Sequence, residues 1–128
     1  MRPYIYIGIG GFLGANVRYV MSIFVARRVA SVAGWGLPFG TLFVNVTGSF
    51  LLAMFLIVVD RRSDFPDDLR LLIATGFFGA YTTFSTYATD TVWLLRAGEW
   101  HDALANIVAN NGLCLLGVVL GILVAERL

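Results

Sequence analysis

Uncharged groups able to solvate a small ion recur at helical spacing in three stretches of this chain. Thr41, Asn45 and Gly48 or Ser49 follow one another at intervals of three and four. Asn106, Asn110, Cys114, Gly117 and Gly121 do the same near the C-terminus. Between them lies TGFFGAYTTFSTYATD, Thr75 to Asp90, in which Gly76 and Gly79 precede Thr82, Thr83, Phe84, Ser85, Thr86 and Tyr87. Amide and hydroxyl donors can replace the water that an ion loses on leaving solution. An aromatic ring is positive at its edge, so its C–H groups can add to that shell. No carboxylate interrupts the polar residues of 41–49 or 106–121, so the set favours a small anion.

The central stretch reads as a polar interruption in an otherwise apolar helix. Irregular backbone at membrane depth is tolerated only where protein or a water-filled cavity lies against it. Such breaks free carbonyls that can hold a cation and N–H groups that can face an anion. Gly, Ser and Thr also let membrane helices pack closely, and on these residues alone the two readings stand level. Asn45 is the most informative of the polar residues at 41–49, because an amide in hydrocarbon needs partners for all its donors and its acceptor; taken in its helix alone, it reads as hydrogen bonding to a neighbouring helix.

These stretches need elements to hold them, and composition names the class. The chain has 128 residues, 59% hydrophobic and 13% charged, with a mean hydropathy of +0.82. That lies outside the range of soluble globular domains and points to an all-α integral membrane protein. At about 20 apolar residues per span the length accommodates four helices in one domain, residues 1–128. The expected spans are Tyr4 to Ala26, Phe39 to Val59, Leu69 to Arg96 with the break inside it, and Trp100 to Val124. A loop is expected from Ser31 to Pro38. Pro66, Asp67 and Asp68 suit the first turn of the third helix. Gly10 and Gly14 form a packing seam on the first helix, and the run is read as a retained helix and not a signal peptide. Asn16 and Arg18 lie at a depth where charge is costly, facing either a wet vestibule or the interface by snorkelling.

Net charge is +1 at pH 7, which gives no case for nucleic acid. Cys114 and His101 are single residues, which excludes an intrachain disulfide and a His/Cys metal cluster. His101 and Asp102 stand together at a span end without a nucleophile or metal partner, so an enzyme is disfavoured. With four spans, Arg2, Arg61, Arg62, Arg70 and Arg127 lie on one side, and Arg27, Arg28 and Arg96 on the other. So small a bias leaves open a single weakly specified topology or insertion both ways up, which would permit an antiparallel pair. Four helices are too few to enclose an ordinary pore, so an oligomer is expected.

GFFGAYTTFSTYATD resembles the third-helix signature of the Fluc fluoride channels, also called the CrcB family, and GTLFVNVTGSF resembles their second-helix motif. A GxxxR segment from Gly14 to Arg18 agrees with the same family. The resemblance implies a passive fluoride exporter in the inner membrane, an antiparallel dual-topology homodimer with two pores and a central structural sodium ion. It implies that Asn45 binds fluoride, that Phe84 and Tyr87 form an aromatic box, and that Arg18 draws anions to a vestibule. Thr41, Thr83, Ser85 and Thr86 would line the route with Asn106 and Asn110, and the carbonyls of Gly79 and Thr82 would hold sodium. Tyr87 departs from the family's usual phenylalanine, Asp90 from glutamate, and Asn106 and Asn110 from tyrosine and serine. A phenol can still donate a hydrogen bond to fluoride. The alternatives are a small multidrug-resistance transporter, a non-conducting membrane scaffold and a subunit of a heteromeric channel. The first needs a carboxylate in its first helix, and none lies between Tyr4 and Ala26.

Overall fold

The computed structural model describes residues 1–33 and 36–128, with the backbone alone described at 30–33, and these residues are all-helical or in short connections. Helix α1 runs from Arg2 to Ala33, well past the expected end at Ala26. Nothing between 27 and 33 breaks a helix, and arginine and alanine favour one, so the charged turn simply continues. The loop expected from Ser31 therefore starts later, and its positions 34 and 35 lie outside the described residues. Helix α2, Phe39–Asp60, begins after Pro38, whose carbonyl accepts from the Leu42 N–H at 3.1 Å. Its length matches the expected span to one residue.

The third segment is a composite. Asp67 and Asp68 open a short helix, α3, at Asp67–Arg70, where acidic side chains complement the N-terminal partial charge. The chain then widens into a π-helix over Leu71–Phe78 and tightens again into α4, Gly79–Tyr81. At the junction the Gly79 N–H returns five residues to the Ala74 carbonyl. Thr82 and Thr83 are extended, and α5 resumes at Phe84–Arg96. The break thus falls after Gly76 and Gly79, both of which remain helical. Gly98, at φ +83, makes the left-handed turn into α6, Trp100–Ala125.

Three helical runs, Arg2–Val29, Phe39–Asp60 and Trp100–Ala125, are long and apolar enough to cross a membrane. Large apolar side chains such as Phe12 and Leu115 point outward along α1 and α6. A solvent of acyl chains suits that surface and water does not. The chain is a multi-pass membrane protein.

Two close-packed seams hold the segments. The Gly10–Gly14 stripe of α1 lies on the backbone of the π-helix, where a Cβ at Gly10 would come 2.8 Å from the Phe77 nitrogen. Gly117 and Gly121 of α6 lie on the backbone of α2 between Val46 and Met54. Val44, Phe78 and Tyr81 form the buried centre, flanked by Met21, Phe43 and Phe77. Arg61 closes one end by donating from Nη1 to the Ala125 carbonyl at 3.0 Å. Gly10→Val is expected to cost at least about 3 kcal/mol, because the methyls meet backbone that cannot give way. Gly11→Val, where nothing lies within 4 Å of an added Cβ, is expected to be near neutral. Thermal denaturation of the two variants in detergent, followed by size exclusion, separates them.

Candidate ion site at the helix break

A backbone that leaves its helix inside an apolar bundle must find new hydrogen-bond partners, and Asn45 supplies them. The Thr83 N–H donates to Asn45 Oδ1 at 2.8 Å, and Asn45 Nδ2 donates back to the Thr83 carbonyl at 3.1 Å. One side-chain amide thereby pairs with both backbone groups of one residue, as a neighbouring strand would. The second Asn45 N–H donates to Asn110 Oδ1 at 3.1 Å, so both amide hydrogens and the amide oxygen are engaged. At the start of α5, Thr83 Oγ1 accepts from the Thr86 N–H at 3.2 Å, an N-cap.

These bonds divert two donors. In a continuous helix the Thr83 N–H would serve the Gly79 carbonyl and the Thr86 N–H the Thr82 carbonyl. Both now go elsewhere, so Gly79 O and Thr82 O lack the donors a helix would give them. Among the described residues no three His, Cys, Asp or Glu side chains gather to hold a metal. The two freed carbonyls are instead neutral oxygen ligands of the kind a hard cation takes, and Gly79 is exposed for contact from outside the chain.

Behind the break runs a chain of amides. Asn110 Nδ2 donates to Asn106 Oδ1 at 2.8 Å, Asn106 Nδ2 donates to Thr91 Oγ1 at 2.9 Å, and Thr91 Oγ1 donates to the Tyr87 carbonyl at 2.8 Å. Asn106 is fully buried and Asn110 nearly so. The α6 asparagine stripe therefore ties α5 and α2 together, and every buried polar side-chain atom among the described residues has a partner.

In front of the break is an open groove of about 310 Å³. Asn45, Thr82, Thr83, Phe84, Tyr87 and Asn110 line it, with Ser49, Asn111 and Cys114. No carboxylate, arginine or lysine is among its lining residues, so it carries donors and ring edges without a full charge. Tyr87 is buried, with its ring 5.4 Å from that of Phe84 in an edge-on arrangement, while Phe84 is 76% exposed.

Other sequence candidates lie elsewhere. Thr41 Oγ1 donates to Asp90 Oδ2 at 2.8 Å in the first turn of α2, a turn and more from the groove. Ser85 and Thr86 are exposed at the start of α5, within hydrogen-bond distance of Thr83 Oγ1 at 3.3 and 2.9 Å. Arg18 continues the Gly10–Gly14 stripe by one turn and is half-buried. Asn16 beside it donates to the Phe12 carbonyl of its own helix. Asp102 accepts from the Gly36 N–H at 3.1 Å, which ties the start of α6 to the segment before α2. Sequence reasoning missed Thr91, Asn111 and the π-helix. Thr91 was open to detection, standing four residues after Tyr87 on the same face; the π-helix leaves no such spacing signal.

Comparison with known proteins agrees along nearly the whole chain. The family model described as CrcB-like protein, Camphor Resistance (CrcB), matches residues 5–122. A protein of Koribacter versatilis named fluoride-specific ion channel FluC is 43% identical over 119 residues, 93% of this chain and 91% of the relative. Proteins of the same name from Legionella pneumophila and Shewanella baltica are 41% and 42% identical over 128 and 121 residues. The first covers 98% of this chain and 91% of the relative, the second 94% of each.

Proposed function

This chain belongs to the CrcB-like family, and we propose that it is a passive, fluoride-selective channel of the cell's inner membrane. The family conducts ions and is not one of enzymes. The observation that carries the reading is the helix break at Thr82 and Thr83, braced by Asn45 and fronted by a groove of uncharged donors and aromatic edges. Such a lining replaces the water of a small anion without a fixed charge that would trap it. Phe84 and Tyr87 present ring edges to the ion, and Ser85, Thr86 and Thr41 extend the polar route on either side. Arg18 raises the local anion concentration at one mouth.

The broken segment from Asp67 to Arg96, third in chain order, is a membrane span like the other three. Phe84 is exposed and the groove is open along one side, which supports completion of each pore by a second copy. The weak arginine bias supports antiparallel pairing in a homodimer with two pores. Gly79 O and Thr82 O, stripped of helical donors, would hold the central sodium ion together with the same carbonyls of the second copy. Bound there, the ion would supply positive charge between two broken helices. Passive conduction suffices physiologically: hydrogen fluoride crosses bilayers uncharged and dissociates in a more neutral cytoplasm, and the negative interior then drives fluoride out.

A multidrug transporter reading lacks its first-helix carboxylate, and a scaffold reading expects no ion flux. Expression in a bacterium made fluoride-sensitive by loss of its own export route tests the proposal in cells. Restored growth in fluoride medium by the wild type is the expected result. Continued sensitivity, with the protein present in the membrane, argues for the scaffold.

A further inference from the structure

Asn111 is absent from the expected pore lining, and its position decides where the Tyr87 proton goes. One atom of its side-chain amide lies 2.8 Å from the Ile107 carbonyl and 3.0 Å from the Tyr87 hydroxyl. A carbonyl only accepts, so that atom is the NH2 group. An amide nitrogen is no acceptor, so the phenol must be the accepting partner and its own O–H proton is left over. Among the described residues no acceptor lies within hydrogen-bond distance of that O–H, and Tyr87 is 9% exposed, with the groove as the space beside it.

Apart from the Ser49 hydroxyl and the Cys114 thiol, the other side-chain donors lining the groove are already engaged. Asn45 and Asn110 give theirs to protein oxygens, Thr83 Oγ1 lies 2.9 Å from Thr86 Oγ1, and Thr82 Oγ1 donates to the Phe78 carbonyl at 3.0 Å. We propose that Tyr87 is a direct O–H donor to the anion, and that Asn111 is the positioning residue that turns the phenol proton into the groove. The inference rests on the fluoride-channel reading and deepens it. Where a ring edge offers weakly polarised C–H groups, this chain offers a hydroxyl, which binds a small hard anion more strongly and disfavours larger halides that fit the groove less closely.

The test is fluoride efflux from liposomes holding the purified protein, with valinomycin and potassium, over a range of internal fluoride. Tyr87→Phe is expected to raise the half-saturating concentration roughly tenfold, the loss of one charge-assisted hydrogen bond. Asn111→Leu moves it the same way, and the double variant is no worse than Tyr87→Phe alone, because both remove one donor. A ring-fluorinated tyrosine at position 87, a more acidic phenol, lowers the half-saturating concentration, a shift that ring packing does not produce. If the wild type conducts and neither Tyr87→Phe nor the fluorinated ring shifts half-saturation, the hydroxyl is not a ligand. Independent, additive effects of the two single variants overturn the role of Asn111. Absence of efflux from the folded wild type removes the channel reading itself, and this proposal with it.

Discussion

Replacing Asn45 with alanine is expected to abolish fluoride flux and to lower stability together. The Asn45 side chain accepts from the Thr83 N–H and donates to the Thr83 carbonyl, so its loss orphans both backbone groups of one buried residue. Two unsatisfied buried groups cost about 2–6 kcal/mol in all. It also unties Asn110, the link from the break to the amides of α6. Flux should fall at least about 100-fold, because the unbraced segment no longer holds the groove lining at Thr83, Phe84 and Tyr87 in place. Asn45→Asp separates the two bonds: it keeps an acceptor for the Thr83 N–H and loses both donors. Thermal unfolding in detergent beside liposome efflux measures each consequence. A variant as stable as the wild type would show that the brace is not what holds the break.

Phe84→Ile should have the opposite balance, loss of flux with the fold intact. The ring is largely exposed in the single chain and packs in a T-shaped arrangement with that of Tyr87, so its removal should change stability by no more than about 0.5 kcal/mol. Isoleucine has no positive ring edge to offer an anion, and its branched methyls occupy the mouth of the groove. Efflux near the background of empty liposomes, from protein that elutes as the wild type does, is the expected outcome. Wild-type flux in this variant would move the ion path away from α5.

The sequence was most legible where a side chain's need is absolute. An asparagine at Asn45 in an apolar run had to find partners, and the hydroxyls after Gly79 fitted either a break or close packing, so the break could be named as one of two readings. The Gly10–Gly14 seam could be read because small residues one turn apart permit backbone contact and little else. What escaped depends on three-dimensional pairing. The family resemblance makes Asn45 an ion ligand; three hydrogen bonds make it a structural brace. The α6 asparagines read as pore lining, whereas Asn106 is fully buried and joined to Thr91. The end of α1 was misjudged because Arg27 and Arg28 mark where hydrocarbon should stop, and a helix need not stop there. The π-helix over Leu71–Phe78 has no sequence period of its own, and it shows itself only in the bond from Gly79 back to Ala74.

The central claim is tested most directly by fluoride efflux from liposomes loaded with potassium fluoride, valinomycin carrying potassium out alongside so that charge stays balanced, beside a matched chloride preparation. Rapid loss of fluoride with chloride retained is the expected result, and it identifies a selective passive channel. Retention of both ions by correctly folded, reconstituted protein contradicts the account, and equal loss of both contradicts the selectivity assigned to the groove.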